Sequence, residues 1–154
     1  MVGALLWCPS SDEYLLLKRS QDKDAGAGEW ECVTGRLDQG ECFSDALRRE
    51  VYEEVGVEAR AEFIIGTTHF YRGDRRPENE MVGVLYGCVI DDPGAIQVSA
   101  EHSEHRWVTV EGAREFLPDG HWMVGVIERA EAITCSTTFS SERPAVSIWR
   151  GMAL

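Results

Sequence analysis

Apolar residues recur along the chain in two rhythms, short runs typical of strands and i, i+4 stripes typical of helices, with clusters of Gly, Pro, Ser and Asp between them. Residues 3–7 and 13–18 are β-rich, and the turn-forming stretch Cys8-Pro9-Ser10-Ser11-Asp12 between them predicts a hairpin. Polar residues 19–28 read as a loop and residues 30–34 as a short strand. A helix is expected over 44–55, with Leu47, Val51 and Val55 as its apolar stripe, Ser44 or Asp45 capping its start and Gly56 ending it. Extended segments follow at 57–71 and 80–90, joined by a charged loop at 72–79. A long loop at 91–104, a strand at 105–110 and helices at 111–116 and 122–133 come next, the last with Val124, Ile127 and Ala130 at helical spacing. In the tail, residues 136–143 are polar, and residues 145–149 read as a terminal strand or a partner contact. Such an order suits an α/β chain, a mixed sheet with helices on its faces.

Composition narrows the picture. A chain of 154 residues with 44% hydrophobic content is expected to fold as one domain over 1–154 with a real core. The net charge of −12, with no Lys/Arg cluster, argues against a grip on long nucleic acid. A small anionic substrate remains compatible, because a bound divalent metal reverses the field locally. Cys8, Cys32, Cys42, Cys88 and Cys135 are odd in number and lack CxxC spacing, so neither structural zinc nor a disulfide framework is expected. Cys42 has no base beside it in sequence, which speaks against a nucleophilic role. His102, His105 and His121 form no HExxH or HxxxH pattern, so zinc catalysis gains no support. With no signal peptide and no apolar run approaching about 18 residues, a cytoplasmic protein without a membrane partner is expected. A homodimer is left open.

The densest chemistry lies in the predicted helix. Glu50, Glu53 and Glu54 stand at i, i+3 and i+4 and so share one face. Three like charges there repel unless a cation sits among them, and carboxylate oxygens suit hard divalent ions such as Mg²⁺ or Mn²⁺. Arg49, four residues before Glu53, can hold that carboxylate in one rotamer. Gly35 and Gly40 punctuate the preceding loop, where backbone turns sharply or approaches a ligand. A merely solvated acidic face is the bland alternative.

Residues 35–57 taken together decide between these readings. Gly35, Glu41, Arg49-Glu50-Val51, Glu53-Glu54 and Gly56-Val57 match G-x5-E-x7-R-E-U-x-E-E-x-G-U, with U apolar, at every position. At average residue usage, that match arises by chance on the order of once in ten million chains of this size. The segment resembles the Nudix box, and the surrounding elements are consistent with that family over most of the chain. The resemblance implies a Nudix-type α/β/α sandwich with a mixed sheet and a loop-helix-loop catalytic motif. It implies metal-dependent hydrolysis of a phosphoanhydride in a nucleoside diphosphate linked to another group: a nucleoside triphosphate, a nucleotide sugar or a dinucleoside polyphosphate. By the same match Glu50 and Glu54 are the principal metal ligands, Glu53 assists or binds a second ion, the Gly35 carbonyl is a ligand, and Glu41 holds the loop. Glu53, Glu54 and Arg49 are carried as catalytic positions.

Many family members add an acidic residue from a later loop. Here Glu101 and Glu104 lie six and three residues before Trp107, and Glu101 is preferred because the following strand is expected to fix Glu104. Arg36, Tyr71, Arg72 and Arg75 are candidates for a phosphate or sugar clamp and a base platform, although residues near 69–80 also read as a solvated hairpin. Trp30 reads as core or as a base platform. Val33-Thr34-Gly35 stands where many members carry Pro-Gly-Gly, a departure that leaves the obligatory Gly35 in place. Two other readings of such a chain are a non-catalytic Nudix-like nucleotide sensor and an isoprenyl diphosphate isomerase.

Overall fold

The computed structural model describes residues 1–23 and 25–137. Strands β1 (Val2–Cys8) and β2 (Glu13–Arg19) form the expected hairpin, but they pair only beside the turn, at Trp7↔Tyr14 and Cys8↔Glu13. Beyond the turn they splay. The wedge between them is filled by β3 (Trp30–Glu31), which pairs with β2, and β4 (Val33–Gly35), which pairs with β1. The single strand expected over 30–34 is therefore two short ones, divided at Cys32, because each half answers to a different neighbour.

On its other edge β1 runs parallel to β6 (Glu80–Val89), which pairs antiparallel with the long β5 (Arg60–Tyr71). The last strand, β7 (His102–Val108), lies against the free edge of β2. It begins three residues earlier than the sequence suggested, so His102, Ser103 and Glu104 belong to the sheet rather than to a loop. Among the described residues the sheet is thus mixed and seven-stranded.

Helices cover both faces, as a sheet whose two sides are apolar requires. Val2, Ala4, Leu6, Leu15 and Leu17 pack against Ala46, Leu47, Val51 and Val55 of α1 (Phe43–Val55). Leu5, Tyr14 and Leu16 point the other way, towards α2 (Val110–Phe116) and α3 (Trp122–Thr137), where the Tyr14 hydroxyl donates to Glu131 at 2.7 Å. Leu47, Val51 and Val55 are buried as predicted, yet the helix starts at Phe43 with Cys42 as its cap and no side-chain capping bond. Ser44 and Asp45 therefore stand inside the first turn. Gly56 ends α1 in the left-handed region at φ 70°, where a Cβ would be strained. Two more orphan carbonyls of that helix end are met from outside, Val55 by the Gln97 amide at 2.9 Å and Glu54 by the Ser99 amide at 2.8 Å.

α3 runs four residues past its expected end at Ile133, and the predicted segment at 145–149 lies outside the described residues. No described helix is long and apolar enough to cross a membrane.

Candidate active site

Helix α1 carries its acidic face along the end of β4, and exposure rises across it. Glu54 is buried at 5% relative exposure, the Glu50 side chain is 13% exposed and that of Glu53 56%. Glu54 accepts a hydrogen bond from the Thr34 amide at 3.3 Å, while its Oε2 is buried with no hydrogen-bond partner. Burial first, and then the charge of Glu31, push its carboxyl up to about 9. Burial also raises Glu50, against the opposing pull of Arg49.

Arg49 organises the loop as well as the helix. Its Nε and Nη2 hold both oxygens of Glu41 at 2.9 Å, its Nη1 reaches Glu50 at 2.8 Å and Glu53 at 3.2 Å, and Nη2 also donates to the Arg36 carbonyl at 2.9 Å. The sequence pointed to Glu53 alone among these partners. Held by Arg49 and by the Asp38 amide, the Glu41 carboxyl is pushed down to about 2. Glu41 thus ties the loop to the helix, the part expected of it. Arg49 itself lies outside the lining of the large cavity described next.

That cavity, about 890 Å³, opens between the box and the β5–β6 hairpin. Glu31, Glu50, Glu53 and Glu101 supply carboxylates, Arg19, Arg36 and Arg72 cations, and Phe70, Met81, Leu85 and Trp122 an apolar wall. A ligand pocket typically measures about 300–1,000 Å³, so there is room for a nucleotide. Trp30 lines the cavity and also meets Phe116 edge-on at 5.0 Å, so its core and wall readings coexist. Tyr71 and Arg75 do not line it. On β5 and just past its end the side chains of Thr68, Phe70 and Arg72 face inward, whereas Tyr71 reaches Glu80 at 3.4 Å with the Arg75 guanidinium over its ring at 5.2 Å.

Of the two loop glutamates, Glu101 lines the cavity and pairs with Lys23 at 3.1 Å. Glu104, on β7, pairs with Lys18 at 3.5 Å outside it. Sequence reasoning missed Glu31 and His102, buried polar residues beside Glu54, and Arg19, which pairs with Glu31. It also missed Trp122 and Phe70, half-exposed aromatics whose exposure residue spacing does not reveal.

Among the described residues no three His, Cys, Asp or Glu side chains already stand as a metal cage, since Arg49 draws Glu50 and Glu53 towards itself and Glu54 leans on Thr34. The donor set still fits a hard divalent ion. All its candidate donor atoms are oxygens, and the Glu50 carboxylate lies so close over Gly35 that a Cβ there would collide with it. Gly35→Ala is accordingly expected to displace Glu50, lowering turnover about 10–100-fold, the range for disturbing a ligand's support. Circular dichroism should remain that of a folded protein; wild-type turnover would show that Glu50 need not stand over Gly35.

Comparison with known proteins agrees with this geometry. The NUDIX domain family model matches residues 1–130. The chain belongs to the Nudix family. Nucleoside triphosphatase NudI of Escherichia coli and that of Shigella flexneri are each 28% identical to it over 114 residues, covering 68% of this chain and 80% of theirs. The crystal structure of the MutT protein from Methanosarcina mazei Go1 superposes with a TM-score of 0.71 at 25% identity, over 86% of this chain and 92% of that one. A C. elegans Ap4A hydrolase binary complex shares the fold at a TM-score of 0.66 and 21% identity, over 88% and 98% of the two chains. This Nudix protein is a pyrophosphohydrolase, and the α/β/α layering expected of the family is present.

Proposed function

We propose that this Nudix enzyme hydrolyses a nucleoside triphosphate to the monophosphate and pyrophosphate, with Mg²⁺ or Mn²⁺, in the cytoplasm. The observation that carries the reading is the joining, in one cavity, of the box carboxylates Glu50 and Glu53 with an aromatic wall from β5 and α3. That the NudI relatives are named nucleoside triphosphatases supports the triphosphate reading over nucleotide sugars and dinucleoside polyphosphates. Glu50, Glu53, Glu54 and the Gly35 carbonyl would hold the ion. When bound, a divalent ion neutralises the phosphates and makes water a better nucleophile near neutral pH.

The remaining work falls to the chain's own side chains. Phe70 and Trp122 supply flat apolar surface for a base, while Arg36 and Arg72 donate to phosphate oxygens. Glu101, which lines the same cavity, takes the proton of the attacking water. Arg49 keeps Glu41, Glu50 and Glu53 in register without touching substrate.

The test is a substrate panel with Mg²⁺ and product identification: nucleoside triphosphates, ADP-ribose and diadenosine polyphosphates. Release of monophosphate and pyrophosphate from triphosphates is expected, and turnover of ADP-ribose alone would overturn the triphosphate reading. The melting temperature should also rise with Mg²⁺ or Mn²⁺ concentration, by about 2.7 kcal/mol of stability at a hundred times Kd. Zinc should not be needed. Activity that persists in excess chelator, with no shift from either ion, would remove the metal from the mechanism.

A further inference from the structure

Behind the acidic face sits a polar group that the box does not contain. His102 is the first residue of β7, and its side chain is only 1% exposed. Its Nε2 lies 3.1 Å from Glu31 Oε1 and 3.8 Å from Glu54 Oε2. Glu31 Oε1 already accepts from Arg19 Nη1, so Nε2 is the donor of this pair. Glu31 is immobilised from two further directions, by Arg19 Nη1 at 2.7 Å and the Thr34 hydroxyl at 3.4 Å. The backbone is stitched at the same place, the His102 amide donating to the Ser99 carbonyl at 3.1 Å and the Ser99 amide to that of Glu54 at 2.8 Å. One donor, fixed by Glu31, thus faces the unpaired oxygen of Glu54.

We propose that His102, oriented by Glu31, is a positioning residue for Glu54: its single Nε2–H, shared between Glu31 Oε1 and Glu54 Oε2, orients the carboxylate for a divalent cation. The proposal rests on the assignment of Glu54 as a metal ligand. Partners of this kind typically account for about 10–100-fold in metal affinity.

Three substitutions separate a positioning role from a packing one. Leu fills the site without a donor, Asn keeps a donor on too short a side chain, and Gln places an amide N–H near the position of Nε2. Mn²⁺ titrations of the full-length protein, followed by melting temperature and calorimetry, are expected to show affinity about 10–100-fold weaker in His102→Leu and His102→Asn and near wild type in His102→Gln. Should His102→Leu fail to fold, the contrast between Asn and Gln decides. Equal affinity in all variants, or equal loss in Asn and Gln, overturns the proposal while leaving the hydrolase reading intact. A wild-type protein that binds no Mn²⁺ overturns both.

Discussion

Glu54→Gln is expected to abolish turnover, by about 10³-fold or more, while raising the melting temperature of the metal-free protein at neutral pH. The activity loss follows from the proposed role of Glu54 as a metal ligand, since metal charge would supply several kcal/mol to the transition state, each ~1.4 kcal/mol being tenfold in rate. The stability gain follows from burial. In the folded chain the Glu54 carboxyl is pushed from its ordinary 4.5 up to about 9, mainly by desolvation and then by Glu31. Between those values the folded state binds the proton more tightly than the unfolded one, so stability falls as pH rises from about 4.5 to 9. At pH 7 the penalty is about 3 kcal/mol. A glutamine keeps an oxygen for the Thr34 amide and has nothing to ionise, so its advantage should grow towards about pH 9 and vanish near pH 4.5. Metal binding by the wild type should release a proton over the same window. Full turnover in a folded variant would remove Glu54 from the reacting centre, and a variant less stable than wild type at about pH 8 would show the buried carboxylate to be compensated.

The box was legible because its logic is local. Helix periodicity places Glu50, Glu53 and Glu54 on one face and Leu47, Val51 and Val55 on the next, and the structure keeps that arrangement. What escaped depends on partners far away in the chain. His102 read as loop because a strand's identity there comes from pairing with Arg19, and Cys32 divides a strand because its neighbours differ on either side. Glu31 and His102, 71 positions apart, show no relation until β3 and β7 flank β2. The sequence offers Tyr71 as a base platform, whereas Phe70 is the residue that lines the cavity. Strand parity settles which of them faces the cavity, and β5 shifts register twice, between Ala61 and Phe63 and between Ile64 and Gly66. A strand that resets its own alternation cannot be read outward from one end. Even the cap was a tertiary matter. Ser44 and Asp45 were the residues able to cap α1, yet the helix begins ahead of both, at Phe43, without any side-chain cap, and the loop before it is tied to the helix through Glu41 and Arg49.

Glu101→Gln is expected to cut kcat by about 10²- to 10⁴-fold, the span of general acid–base catalysis, with KM little changed. The glutamate on the other side of His102 offers the control. Glu101 belongs to the turn before β7, lines the cavity with Glu50 and Glu53, and pairs with Lys23 at 3.1 Å, a contact half open to solvent that costs little to break. Glu104 sits within β7, paired across to Lys18 of β2 and away from the cavity. Glu104→Gln should therefore leave kcat within about twofold, because an exposed ion pair contributes at most ~1 kcal/mol to stability and nothing to the reacting atoms. Steady-state kinetics on the substrate accepted in the panel would decide. An essential Glu104 beside a dispensable Glu101 would move the proton acceptor out of the cavity and contradict the geometry, whereas two silent substitutions would leave the box carboxylates to accept the proton themselves.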